Sequence, residues 1–252
     1  MTHPSDQPVV WSRRTGKVSD VVAMRIVQDI VARALPPGSR LPGEPAMMQQ
    51  YQVSRSSLRE ALRILEVEGL IAVKTGPGGG PVVRKVSSRD YGRMSSLFFQ
   101  MEQARLADLV AARQVIEPVL ARLAAEVRSE ADCARLASVV EAGQCPPTGE
   151  TPDSAVAITE FHEVVVDLAG NPVLGLYANA LKHIFTDRVV GRVFPPESQD
   201  RARDAHARIA AAIVAGDGAK AEQSMREHLA DFACSYRQNY PGLLDEVVSW
   251  AI

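Results

Sequence analysis

The chain has 252 residues, 46% of them hydrophobic, which is enough for two ordinary cores or one large one. Its formal net charge of −2 conceals a split, because residues 1–86 carry 12 Lys and Arg against 7 Asp and Glu, while residues 87–252 carry 16 against 23. A basic first third therefore attracts polyanions in a salt-dependent way and an acidic remainder is kept off them; no apolar run reaches the length of a membrane span, and the odd set Cys133, Cys145 and Cys234, with no C-x-x-C spacing, excludes a disulfide framework or a cysteine zinc cluster and suits a reducing cytoplasm.

Residues 1–17 read as a loose polar arm, with Arg13, Arg14 and Lys17 available for phosphate contact. The first motif of consequence lies between Leu35 and Lys85. A short helix over 46–51 is entered through Gly43, Glu44 and Pro45, a place where proline costs little because first-turn amides lack partners anyway. Gln52 and Val53 make a tight turn. Ser54 then caps a second helix whose apolar positions Leu58, Ala61, Leu62 and Leu65 fall at i, i+3, i+4 and i+7 and bury one face. The opposite face carries Arg55, Ser56, Arg59 and Arg63, and the helix N-terminus adds its own positive end. That is what a helix laid in a DNA major groove requires. Gly69 ends it, and two β-rich runs over 70–74 and 81–85 flank the glycine-rich tip Thr75-Gly76-Pro77-Gly78-Gly79-Gly80, which can lie close to a phosphate backbone.

From about residue 89 the chain reads as amphipathic helices over 90–103, 106–128, 130–142, 154–169, 172–192, 196–215, 218–236 and a short 243–250, with a Pro- and Gly-rich loop at 143–153. Asn171 stands where it can cap the helix that starts near Pro172. The change from strand-like to helical residues at 86–89 marks the domain boundary. The fold class expected is mainly α: a winged helix-turn-helix over 18–86 and an all-helical bundle over 87–252.

Three histidines point inward by helical phase. His162 shares a face with Ile158, Val165 and Ala169, His206 with Ile209, Ala210 and Ile213, and His228 with Met225, Leu229 and Phe232. One such histidine is ordinarily a core residue with a hydrogen-bonded ring. Three in one bundle can instead converge as imidazole ligands for Zn, Ni or Mn, with open positions left for an acid. The competing arrangement is a metal-free pocket in which the same rings hydrogen-bond an acid or pack. Arg113, on an inward-facing helix, can hold a carboxylate through two parallel hydrogen bonds or pair with Glu117 four residues on, and both can be true.

The stretch from Leu35 to Lys85 resembles the winged helix-turn-helix of the GntR superfamily: the leading turn, Val53-Ser54-Arg55, Leu58-Arg59-Glu60-Ala61-Leu62, Glu68-Gly69-Leu70 and the wing occur in order. The rest is similar to the FCD domain of the FadR-like branch, through Arg113-x-x-Ile116-Glu117, Phe161-His162, Gly170-Asn171-Pro172 and His206-x-x-Ile209 with His228-Leu229. The resemblance implies DNA contacts at Arg40, Ser54, Arg55, Ser56, Arg59, Thr75 and Gly76. It also implies an effector site at Arg113, His162, His206 and His228, with the three histidines as metal ligands. Two departures stand out. Pro45 replaces a basic residue of the leading turn, and Ile158 stands where metal-binding relatives have an aspartate, while Glu160 lies about 200° from His162 around the helix.

The function this implies is a cytoplasmic, ligand-responsive transcriptional regulator, in the commoner case a repressor. It would bind an inverted-repeat operator as a homodimer and sense a small carboxylate effector. Two other classes are weighed against it. A metal-dependent hydrolase would need a base on the His162 face, where Glu160 and Glu163 do not lie. An architectural DNA-binding protein would be indifferent to sequence and to small molecules.

Overall fold

The computed structural model describes residues 17–74, 76, 79–85, 87–144, 153–189 and 196–250, with the backbone alone described at 144, 153–159, 189 and 196. Thr75, Ile158 and Cys145, and with them Arg13 and Arg14, thus fall outside the described side chains. The chain divides into two compact units, residues 1–87 and 88–252.

In the first unit, α1 (Val18–Ala32) packs with α2 (Glu44–Tyr51) and α3 (Arg55–Val67) around Ile26, Met47, Leu58, Leu65 and Ile71. Ser54 caps α3 by accepting a hydrogen bond from Ser57 N at 3.2 Å, and Leu58, Ala61, Leu62 and Leu65 are all buried, as their spacing predicts. Tyr51 Oη donates to Asp29 Oδ2 at 2.6 Å and ties α2 to α1. The sequence reading did not identify α1. Its apolar residues run around the whole helix, with Val22 and Ile26 buried but Val21, Met24 and Val31 exposed, so no single stripe stands out.

Gly69 takes a positive φ of 74° and turns the chain into β1 (Ile71–Lys74), which pairs antiparallel with β2 (Gly80–Val83). Arg40 adds a bridge to Val82. At the wing a Cβ on Gly79 would collide with the carbonyl oxygen of Lys74, so only glycine fits there.

The second unit is all helical among the described residues: α4 (Ser88–Met101), α5 (Leu106–Val127), α6 (Glu130–Gln144), α7 (Asp153–Leu168), α8 (Pro172–Val189), α9 (Pro196–Ala215) and α10 (Gly218–Asn239). Helix α5 is its centre and packs on α7, α8, α9 and α10. One core joins Leu120, Ala124, Phe161, Val165, Ile209, Ile213 and Met225; a second joins Leu106, Leu109, Phe185, Tyr236 and Leu244. At Gly92 a Cβ would stand 3.2 Å from the carbonyl oxygen of Ala180, which is how α4 approaches α8. Asn171 caps α8 through Val173 N and Leu174 N at 3.2 and 3.0 Å.

One expectation is corrected. The helix expected over 243–250 is a single 3-10 turn, Leu243–Asp245. Leu106 N donates to Glu246 O and Val248 N to Ala104 O, and these bonds draw the segment into an extended bridge between Arg105 and Val247. No described helix is long and apolar enough to cross a membrane.

Because Leu58 is fully buried, Leu58→Ala should destabilise the first unit by about 2–5 kcal/mol. Denaturant titration checks this, and a loss below ~1 kcal/mol would mean that α3 is not the packing centre described.

Candidate functional site

The exposed face of α3 carries Ser54, Arg55, Ser56, Arg59 and Arg63, with Arg40 and Gly76 also exposed in the same unit. The exposed Arg59 is held by Glu44 of α2, whose two carboxylate oxygens accept from its Nε at 3.1 and 3.2 Å. Glu44 thus fixes the direction of one of the arginines singled out from the sequence.

In the second unit four helices bring one buried cluster together. His162 on α7, His206 on α9 and His228 on α10 are 5–6% exposed, and one ring nitrogen from each lies within 4.8 Å of the others. His228 Nε2 stands 3.2 Å from both His206 Nε2 and His162 Nε2. Phe161 stacks on His206 with ring centroids 4.0 Å apart and closes one side. The three rings that the helical phases turned inward do meet, at their Nε2 ends.

Behind them lies a chain of charge. Glu117 of α5 places Oε2 2.6 Å from His162 Nδ1, and its Oε1 accepts from Arg113 Nε at 2.5 Å. Arg113 and Glu117 are both buried, and the guanidinium also lies 5.5 Å from the centre of the Phe232 ring. The alternative weighed from the sequence for Arg113, an ion pair four residues on, is present. Its terminal nitrogens make no hydrogen bond to any described residue.

Electrostatics settle which groups are charged. Burial alone would push the Glu117 carboxyl upward, but the charges of Arg113 and His162 overcome it and hold the group below the usual carboxylate range. Glu117 is then an anion and can only accept, so His162 Nδ1 is the donor and its Nε2 is the atom turned to the cluster. Burial, reinforced by the neighbouring rings, pushes His206 well below its ordinary value, and burial with the His162 charge pushes His228 down to about 3. Both are neutral near pH 7. Three imidazoles aimed at one point form a donor set for a transition metal, not for a hard oxygen-loving cation.

The spacing fits as well. Two nitrogens bound to one metal at about 2.1 Å, with an angle between octahedral and tetrahedral, stand about 3.0–3.4 Å apart, and two of the three Nε2 pairs are at 3.2 Å. A groove of about 300 Å³ between α9 and α10, lined by Arg201, Asp204, Arg208, Glu227 and Asp231, reaches His228.

Sequence reasoning missed two residues here. Glu117 was considered only as a partner of Arg113, because nothing local signals its contact with His162, 45 positions away. Lys182 of α8 is 3% exposed and pairs with Glu163. Its signal was a lone lysine on a helix face shared with Ala178 and Phe185. Glu160 is exposed, as its phase predicts.

Comparison with known proteins agrees with both halves. The family described as "Bacterial regulatory proteins, gntR family" matches residues 18–79, and the FCD domain matches residues 108–231. The HTH-type transcriptional regulator LutR of Bacillus subtilis is 30% identical over 203 residues, covering 78% of this chain and 91% of that protein. The HTH-type transcriptional repressor NanR of Salmonella newport is 26% identical, covering 87% and 85%. In fold the chain is similar to a GntR protein of Streptococcus agalactiae, at a TM-score of 0.69 and 22% identity, over 86% of this chain and 99% of the other. The chain belongs to the GntR family of DNA-binding transcriptional regulators, carries an FCD effector-binding domain in its second unit, and is a regulator rather than an enzyme.

Proposed function

We propose that the protein is a cytoplasmic, homodimeric repressor that binds an inverted-repeat operator and is released when a small organic acid enters its FCD domain. Each winged helix would read one half-site through α3, with Ser54, Arg55, Ser56 and Arg59 at the groove, Arg40 beside it, and Thr75 and Gly76 at the wing against the backbone. The repressor reading draws on NanR, which is named a repressor. In the helical unit His162, His206 and His228 would hold a divalent transition metal such as Zn, Ni or Mn. The bound cation would supply a Lewis-acidic anchor for the effector's carboxylate, and the terminal nitrogens of Arg113 would grip the same group.

The observation that carries this reading is the Glu117–His162 hydrogen bond. A core histidine has no need of an ionised, buried carboxylate on its outer nitrogen, whereas a metal ligand gains both its tautomer and its basicity from one. It also supplies negative charge near the site, although Ile158 stands where relatives have an aspartate. Effector binding then shifts operator affinity by the coupling free energy between the two sites, typically about 1–3 kcal/mol.

Three outcomes test the reading. Operator titrations of metal-loaded protein with a panel of small carboxylic acids should show one class that weakens binding about 5- to 150-fold, with no response in His206→Ala. An equal response in that variant would remove the cluster from the sensor role. Arg59→Ala should lower affinity for the specific operator by about 1–3 kcal/mol more than for unrelated DNA, since base readers discriminate and phosphate contacts do not; a uniform loss in gel-shift assays would make it a phosphate contact. Glu117→Gln leaves Arg113 without its buried anion, so it should cost about 3–5 kcal/mol of stability. The same change should lower metal affinity about 10- to 100-fold in competition with a chelating dye. Unchanged metal affinity would refute the supporting role of Glu117.

A further inference from the structure

Lys182 is a buried cation outside the set described above. It projects from α8, its side chain is 4% exposed, and it is ion-paired with Glu163 of α7, whose side chain is 39% exposed. His183 Nε2 approaches the same carboxylate oxygen at 3.9 Å. The asymmetry of this pair matters. A buried ammonium requires an anion beside it, but the anion it has stands at the rim, where water can receive it at small cost.

Arg113 and Glu117 of the effector site lie within electrostatic reach of this ammonium. Glu163 directly follows His162, α8 packs on both α5 and α7, and burial lowers the pKa of Lys182 against the opposing pull of Glu163, with Arg113 and Glu117 also acting on it. One turn earlier on α8, Asn179 lies about 60° from Lys182 at 100° per residue, so their Cβ atoms are neighbours. Asn179 Oδ1 is buried and has no hydrogen-bond partner. A buried acceptor left so costs about 1–3 kcal/mol and calls for a donor.

We propose that Lys182 and Asn179 form a second recognition station for the far end of the effector, which is therefore a hydroxylated dicarboxylic acid, with Glu163 occupying Lys182 until the second carboxylate displaces it. This rests on the reading of the histidine cluster and Arg113 as the station for the first carboxylate. The far carboxylate takes Lys182, a hydroxyl donates to Asn179 Oδ1, and Glu163 turns into solvent. A monoacid leaves Glu163 where it is and gains neither contact.

Calorimetric titration of the metal-loaded full chain with malate, succinate and 2-hydroxybutyrate tests this, because malate and 2-hydroxybutyrate differ only in a terminal carboxylate against a methyl. Malate should bind about 10- to 100-fold more tightly than 2-hydroxybutyrate, the worth of one charge-assisted hydrogen bond, and more tightly than succinate. Lys182→Met should abolish the preference over 2-hydroxybutyrate while leaving affinity for that monoacid and the metal content unchanged, and Lys182→Arg should restore it. Glu163→Gln, which removes the competing anion and leaves Lys182 without its partner, should lower stability in the unliganded protein and raise malate affinity alone. Equal loss of both acids in Lys182→Met, or no effect of Glu163→Gln, would overturn the proposal. If all three acids bind alike to the unaltered protein, the first station stands and the second does not. If none binds, the carboxylate reading of the histidine site fails and takes this one with it.

Discussion

The Glu117 carboxylate is shared between Arg113 on one oxygen and His162 on the other, at 2.5 and 2.6 Å, and the organisation of the helical unit depends on this arrangement. A carboxylate removed from water is tolerated only because both of its oxygens are matched, and once ionised it dictates the rest. It makes His162 Nδ1 a donor, turns Nε2 toward His206 and His228, and holds the Arg113 guanidinium over Phe232. Helix α5 can provide this because Arg113 and Glu117 are one turn apart on the face it presents to α7 and α10.

The two units divide the work by charge. The basic first unit exposes arginines and serines on α3 and keeps its apolar side for Ile26, Met47 and Ile71, so its interactions with a polyanion are all at the surface and sensitive to salt. The acidic second unit buries two of its cations. Arg113 and Lys182 are each compensated there by a carboxylate, Glu117 and Glu163. An anionic ligand in the helical unit would thus meet cations shielded from water and salt but already paired, whereas the net charge of that unit opposes nucleic acid.

Much of this was legible in the sequence because it is encoded locally. The periodicity of Leu58, Ala61, Leu62 and Leu65, the cap at Ser54 and the stop at Gly69 each follow from spacing within one helix, and the structure has all three. The inward phase of the three histidines is likewise a property of each helix alone. What could not be read is long-range or two-sided. The partnership of Glu117 with His162 spans 45 positions and that of Lys182 with Glu163 spans 19, and neither pairing leaves a trace in local pattern. Helix α1 was hidden because its apolar residues are not confined to one stripe. The segment after Gly242 looked helical from its leucines and valines, but unpaired backbone groups at Ala104 and Leu106 recruit it as an extended strand instead.

The account stands or falls on whether the three converging histidines bind a transition metal. Elemental mass spectrometry of untagged protein purified without chelator, measured beside His206→Ala, asks this most directly. About one transition metal per chain in the first and none in the second is the expected result for a three-imidazole site. No metal in either, even after reconstitution with Zn, Ni and Mn, would contradict it and leave the Glu117–His162 bond as a feature of a packed core.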